Sequence, residues 1–184
     1  MDQQAEAEII IRVLKGDRQA YALLVEDYKN PIYNLAYRMT GNLHDADDLT
    51  QEIFIRAYRN LRQYDQSRKF FTWLYTIGIN LIRNHLKKNR PIISEISEVH
   101  FLTESQVKQN ENGEEDLLSD NRMIRLEKAL QRLPVALREL IVLKYYQGLT
   151  FEEVAAITGI SLSAIKMRIY RGLDQLKHLM ESVE

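Results

Sequence analysis

The sequence predicts an all-α fold: two small helical domains joined by a flexible acidic linker. Three observations carry this. Gly and Pro number only 7 and 3 in 184 residues, apolar residues recur at helical spacing through most of the chain, and few stretches alternate with the two-residue period of a strand. The helical pattern stops near Ile92 and resumes after Asp120. Charge divides at the same places: residues 1–92 carry 14 basic and 11 acidic side chains, 93–121 carry 1 and 8, and 122–184 carry 10 and 7, so the middle is an acidic tether between two modules. The predicted units are therefore 1–92, 93–121 and 122–184.

Each helix has its own signals. A first one carries Ile10, Val13 and Leu14 and stops at Gly16. Asp17 can cap a second, with Tyr21, Leu24, Val25 and Tyr28 on one face. Asn30-Pro31 is read as a restart, because proline suits a first helical position, and a third helix with Ile32, Leu35, Ala36 and Met39 runs to Gly41-Asn42. The fourth spans about Asp45 to Leu61 and the fifth about Phe70 to Lys88, before Pro91. In 93–121 Ser, Glu, Gln and Asn dominate and Asn112-Gly113 marks a turn. Periodicity returns with Met123, Leu126, Leu130 and Leu133; Pro134 then opens a helix with Leu137, Leu140, Ile141 and Leu143, which Gly148 ends.

Composition narrows the function. An apolar share of 45% supports real cores, no uninterrupted apolar run is long enough to span a bilayer, and no basic leader with a small-residue cleavage site precedes the first helix. No membrane insertion is expected. The absence of cysteine removes disulfides and thiolate zinc sites and suits a cytoplasmic protein. No catalytic residues, cofactor or metal are expected: a nucleophile–base pair, a glycine-rich phosphate loop and a histidine cluster are all missing from the sequence.

The stretch Leu149 to Gly172 is the most informative. Thr150 and Glu153 form a capping box, with Leu149 and Val154 placed as a hydrophobic staple. Gly159 supplies a left-handed stop about two turns later, Ser161 can cap the next helix, and Ile160 with Ile165 makes a second staple. Two helices joined so tightly must cross steeply, and small Ala155 permits close approach: a helix-turn-helix. Its second helix buries Ile165, Ile169, Leu173 and Leu176, and turns Ser163, Ala164, Lys166, Met167, Arg168, Tyr170 and Arg171 outward. Arg168 and Arg171, one turn apart, can reach bases or phosphates in a major groove.

Two further patterns lie in the N-terminal half. On the fourth helix Asp45, Asp48 and Glu52 form an acidic stripe with Gln51 beside it, while Leu49, Ile53, Ala57 and Leu61 face the core. Acids in a first helical turn also compensate the helix dipole, but Glu52 lies beyond that turn. The fifth helix mixes Phe70, Phe71, Trp73 and Tyr75 with Arg83, Lys87 and Lys88, and no acid occurs between Asp65 and Glu95. Aromatic faces stack unpaired bases, at about 1–3 kcal/mol per base, while cations hold the backbone. Phe71 and Leu74 are expected in the core; Trp73 fits either side.

These residues carry a family resemblance. L-P-x-x-L-R-E-L-I-V-L-K-Y-Y-Q-G-L-T-F-E-E-V-A, Leu133 to Ala155, with the helix after it, resembles the promoter-reading C-terminal domain of extracytoplasmic-function (ECF) sigma factors. D-A-D-D-L-T-Q-E-I-F-I-R-A-Y, Asp45 to Tyr58, is similar to that family's polymerase-binding helix, and F-F-T-W-L-Y-T-I-G-I-N-L-I-R-N, Phe70 to Asn84, to its minus-ten helix. The resemblance covers nearly the whole chain apart from the linker, which leaves no room for a middle domain. It implies a transcription initiation factor whose partners are core RNA polymerase, promoter DNA and an anti-sigma factor. Asp45, Asp48, Gln51 and Glu52 would meet polymerase. Arg68, Lys69, Phe70, Trp73, Asn80, Arg83, Asn84, Lys87 and Lys88 would meet single-stranded minus-ten DNA, with the loop Gln63 to Lys69 holding a flipped base. Ser161, Ser163, Ala164, Lys166, Met167, Arg168 and Arg171 would meet minus-thirty-five duplex. The connector, with Glu111, Glu114, Glu115 and Asp116, would thread the polymerase's basic channels.

The chain departs from the family at two places. The usual Gly-Thr pair opening the recognition helix is Ser163-Ala164, which removes a hydroxyl that could meet DNA, and the usual Asp of the minus-ten helix is Asn84. Two other readings are weighed. A stand-alone helix-turn-helix regulator would bind its operator without polymerase, and an all-helical metal-dependent phosphohydrolase would rest on His44 and its acidic neighbours alone.

Overall fold

The computed structural model describes residues 3–88 and 115–181, the side chains of 115–121 excepted. Every regular element among the described residues is helical. The expectations for the connector at 93–114, including Glu111 and Glu114, lie outside the described residues, as do the side chains of Glu115 and Asp116.

Helix α1 (Gln3–Leu14) buries Ile9, Ile10 and Val13 and ends before Gly16, at φ +106. Asp17 then accepts the Ala20 N–H at 3.1 Å and pairs with Arg12 at 2.8 Å. Those partners, Arg12 foremost, hold its carboxyl below the usual range. The element it caps is a single 3-10 turn, Arg18–Ala20, running straight into α2 (Tyr21–Thr40).

Here the structure corrects the sequence reading. Asn30-Pro31 does not restart the chain; Pro31 sits inside one continuous helix of 20 residues. Proline cannot donate the bond to the turn before it, but Leu24, Ile32, Leu35, Ala36 and Met39 share one buried stripe across it, and that burial carries the helix through the proline. Gly41, left-handed at φ +70, closes the helix by donating to Tyr37 O at 2.7 Å.

Helix α3 (Leu43–Asn60) starts on Asn42, whose side chain accepts the Asp45 N–H at 3.1 Å. It buries Ala46, Leu49, Ile53, Phe54 and Ala57 against α2. A 3-10 turn, Leu61–Gln63, leads through a loop to α4 (Phe70–Lys88), which closes the first module on α2 and α3.

In the second module α5 (Glu115–Arg132) begins inside the span assigned to the linker. Its first seven residues offer only Leu117 and Leu118 as apolar markers, too few to show a period. Helix α6 (Val135–Ile141) follows Pro134 and continues as a π-helical turn, Val142–Tyr146, before Gly148 at φ +67. Helices α7 (Phe151–Thr158) and α8 (Leu162–Glu181) complete the module, with α8 packed on α5, α6 and α7.

The two modules also touch. α4 packs against α7, and α2 meets α5, α6 and the π turn.

Candidate nucleic-acid interface

The helix-turn-helix is built as its sequence signals require. Thr150 Oγ1 accepts the Glu153 N–H at 3.1 Å, and Glu153 Oε2 accepts the Thr150 N–H at 3.0 Å. Gly159 at φ +71 ends α7 by donating to Ala155 O at 2.9 Å. Leu149, Val154 and Ile165 are buried, and Ala155 and Ile160 pack at the core edge. The expected side-chain cap from Ser161 takes another form: its carbonyl accepts the Ile165 N–H at 2.9 Å, while its hydroxyl lies 3.4 Å from Ser163 Oγ.

On α8 Ile165, Ile169 and Leu176 are buried and Leu173 half-buried, whereas Ser163, Lys166, Met167, Arg168, Tyr170 and Arg171 are exposed and Ala164 is half-exposed. Tyr170 is exposed to 71% and Met167 to 54%. Lys166 Nζ lies over the Phe151 ring at 5.5 Å, which fixes one cation at the start of this face. Gly172, which the sequence reading passed over, is what brings α8 onto α6: a β-carbon there would fall 2.9 Å from Ile141 Cδ1 and 3.4 Å from Leu137 Cβ.

On α4 the residues Trp73, Ile77, Asn80, Asn84 and Lys87 follow each other at spacings of four and three, so they share one face. Asn80, Asn84, Lys87 and Lys88 are exposed and Trp73 half-buried. Phe70 is corrected: its side chain is wholly inside, against Tyr28 at 5.6 Å, Tyr64 at 5.5 Å and Trp73 at 5.6 Å between centroids, so it cannot present a face to a base. Its place in that cluster comes from being the first residue of α4, where the helix turns in from the loop. Trp73 packs on both Phe70 and Tyr64, which anchors its ring while leaving part of it in solvent. Phe71 is half-buried and Leu74 buried, close to expectation.

The loop before α4 is internally tied. Asp65 accepts the Ser67 hydroxyl at 2.7 Å and N–H at 3.0 Å, contacts that, hydroxyl first, lower its carboxyl below the usual range. Tyr64 donates to Arg68 O, and Arg68 itself is exposed, loosely paired with Asp65 at 3.4 Å.

Two residues expected on the DNA face are occupied. Arg83 makes a two-pronged pair with Glu139 of α6, Nη2 to Oε1 at 2.6 Å and Nε to Oε2 at 2.7 Å. Lys69 Nζ meets Glu153 Oε1 of α7 at 2.9 Å. Burial pushes the Glu153 carboxyl up, but the Thr150 N–H and Lys69 outweigh it and hold it below the usual range.

The acidic stripe on α3 is partly redistributed. Asp48 and Gln51 are exposed, Glu52 pairs with Arg56 at 2.6 Å, and Asp45 is half-buried 3.1 Å from His85 Nε2 of α4. Among the described residues no three His, Cys, Asp or Glu side chains come together to hold a metal, and no helix is long and apolar enough to cross a membrane.

Known proteins share both modules. Residues 24–92 match sigma-70 region 2 and residues 123–176 match sigma-70 region 4. The chain is 38% identical to ECF RNA polymerase sigma factor SigW of Bacillus subtilis, over 91% of this chain and 92% of that protein. The chain belongs to the ECF sigma factors. Sigma factors are transcription initiation factors rather than catalysts.

Two solved structures show the same fold. CnrH in complex with the cytosolic domain of CnrY superposes with a TM-score of 0.73 at 24% identity, covering 98% of this chain and 99% of that one. Sigma factor RpoE in complex with the anti-sigma factor NepR, from Bartonella quintana, gives 0.67 at 20% identity over 89% and 98%. In this sigma factor the residues that sequence reasoning missed are those joining region 2 to region 4. Gln131 Nε2 donates to Arg38 O at 2.8 Å, Arg138 Nη1 to Met39 O at 2.6 Å, and Tyr75 Oη to Gln147 Oε1 at 2.8 Å. Arg38 lies 4.3 Å from the Tyr146 ring centroid and 3.5 Å from Glu127. One sign was available: Arg138 and Glu139 are adjacent charges in an otherwise apolar run, and buried charges need partners.

Proposed function

We propose that region 2 of this sigma factor docks on core RNA polymerase through the exposed side of α3, Asp48 and Gln51 with Glu52 at its edge, and holds the unpaired minus-ten strand on α4. Region 4 reads minus-thirty-five duplex with the outward face of α8. The supporting observation is that a single chain carries two solvent-facing recognition surfaces of different chemistry. The α8 face, with Ser163, Lys166, Met167, Arg168 and Arg171, suits groove edges and phosphates. The α4 face, with Trp73, Asn80, Asn84, Lys87 and Lys88, suits splayed bases and backbone. A stand-alone regulator would use α8 and leave α4 without a purpose.

Strand opening then needs no chemistry from the protein. Its free energy comes from capturing unpaired bases on Trp73 and its neighbours within the polymerase complex. Asp45, tied to His85, serves to set α3 against α4 rather than to meet a partner. An anti-sigma factor holds the chain inactive in the cytoplasm, as the partner named in the RpoE structure suggests. The test is potassium permanganate footprinting of a promoter with core polymerase and this chain. Reactive thymines confined to the minus-ten region, lost in Trp73→Ala, support the assignment; reactivity unchanged by Trp73→Ala overturns the role of that ring.

A further inference from the structure

We propose that Tyr64 is a positioning residue of the minus-ten site: its hydroxyl closes residues 64–68 into a ring before DNA arrives, and its aromatic face sets that ring against Trp73. This rests on the assignment of the loop and of α4 to the unpaired strand made above. Backbone composition does not order the loop. The run Tyr64-Asp65-Gln66-Ser67-Arg68-Lys69 holds neither glycine nor proline, and every side chain in it after Tyr64 is exposed. Its shape comes from polar ties instead.

Those ties form two nested closures. The inner one is Asp65, whose Oδ1 accepts the Ser67 N–H at 3.0 Å and hydroxyl at 2.7 Å while its carbonyl accepts the Arg68 N–H at 3.0 Å. The outer one is Tyr64, whose hydroxyl donates to the Arg68 carbonyl and so joins the two ends of the ring. Burial above all, then the charges of Glu6 and Asp65, push that hydroxyl above its ordinary value, so it keeps its proton and donates throughout the neutral range. Gln66, between the tied residues, is uncommitted: its side-chain amide has no hydrogen-bond partner among the described residues. It offers a base edge one acceptor and two donors.

The ring stands on a rigid support. Tyr64 lies 5.5 Å from Phe70 and 5.3 Å from Trp73 between centroids, and Phe70 lies 5.6 Å from both Trp73 and Tyr28. Phe70 is wholly buried, and Tyr28 donates in turn to Glu6 of α1, itself 6% exposed. Four aromatic rings thus fix the loop and the Trp73 surface relative to each other, with α1 holding the far end. Phe70 serves recognition from inside, by bearing the two groups that meet DNA. A loop already in its bound shape loses less freedom on binding, which leaves more of each contact as affinity. Tyr64 acts through Gln66 and its neighbours rather than by touching the base.

The test uses holoenzyme, core polymerase with the full chain, and a single-stranded oligonucleotide carrying the minus-ten motif that this holoenzyme selects from a random library. Copies made abasic at one position at a time locate the flipped base as the position whose loss weakens binding most, by about tenfold. Tyr64→Phe keeps the aromatic ring and removes the hydroxyl. It should weaken binding of the intact oligonucleotide about three- to tenfold, the worth of one hydrogen bond, and leave binding of the copy abasic at that position unchanged. Ser67→Ala, which removes half of the inner closure, should act in the same direction and less. Emission of Trp73, the single tryptophan, should be unaltered in the free Tyr64→Phe chain, showing the support intact. Should it shift, Ser67→Ala, which touches no aromatic contact, decides. If both variants keep the full difference between intact and abasic copies, or weaken the two alike, the positioning role is overturned while the DNA assignment stands. If no abasic copy binds the unsubstituted holoenzyme more weakly, the assignment of the loop to a flipped base has failed and the positioning role with it.

Discussion

Gly159 sets the sharpness of the turn on which promoter reading by region 4 depends, and its substitution has a calculable cost. The residue lies at φ +71 and ψ +16, and a β-carbon there would meet nothing within 4 Å. No packing term enters. Alanine therefore suffers only the left-handed backbone penalty, about 1–2 kcal/mol, offset by about 0.4–1 kcal/mol because the unfolded chain becomes less free. The net loss for Gly159→Ala is about 1 kcal/mol. Asparagine tolerates this conformation and should lose about half as much, whereas β-branched valine should lose more than alanine. In thermal unfolding of a chain this size, 1 kcal/mol moves the midpoint by about 2–4 °C. Circular dichroism of the three variants, each fitted with its own baseline, measures the order directly. Equal stability of alanine and glycine, or valine no worse than asparagine, would refute the left-handed turn as the source of the α7–α8 geometry.

Arg168→Ala should cost about 1–3 kcal/mol and relax preference at one or two minus-thirty-five positions, whereas Lys177→Ala, near the end of α8, should weaken all sites about equally; a selection profile unchanged by Arg168→Ala would reject base contact. Asp48→Lys with Glu52→Lys reverses the exposed part of the α3 stripe and should abolish pull-down of core polymerase, while fluorescence anisotropy still shows preference for single-stranded minus-ten DNA over duplex. Acid should loosen the protein in a defined direction. The carboxyls of Asp17, Asp65 and Glu153 are held below their ordinary values, so their stabilising contribution is complete above about pH 4–5 and is lost as pH falls through the folded values. Glu127, raised by burial despite Arg38, has the opposite sign: it favours the folded state below its unfolded value, and that advantage fades as pH rises through its folded one. Melting temperature measured from about pH 3 to 7 should rise with pH, and Asp17→Asn should flatten the acid limb.

Most of the architecture was legible because local signals agreed with the core. The bounds of α4, Phe70–Lys88, follow from apolar periodicity closed by a basic last turn. The helix-turn-helix follows from a capping box and a glycine at the required separation. Pro31 misled because proline's lost hydrogen bond is a local cost, whereas the stripe from Leu24 to Met39 is buried by partners that only the fold supplies. Phe70 misled for a related reason: an aromatic at the start of a helix that also carries exposed cations reads as a stacking surface until Tyr28, Tyr64 and Trp73 are seen around it. Asp45 fits a stripe by spacing, but His85, forty residues later, engages its carboxylate while leaving it half-exposed. The contacts between regions 2 and 4 were the least legible. They depend on carbonyls of Arg38 and Met39, which have no side-chain signature, and on residues such as Glu139 whose partner lies 56 positions away.

The central claim, that one chain directs polymerase by reading two separated elements with two different helices, is tested most directly by reconstituted transcription from a randomised promoter library. Core polymerase plus this chain should enrich templates with two fixed motifs near minus ten and minus thirty-five at a constant spacing. Arg168→Ala should alter only the upstream motif, and Asn80→Ala with Asn84→Ala only the downstream one. Enrichment of a single palindromic site, bound equally well by the chain as a dimer without polymerase, would contradict the account.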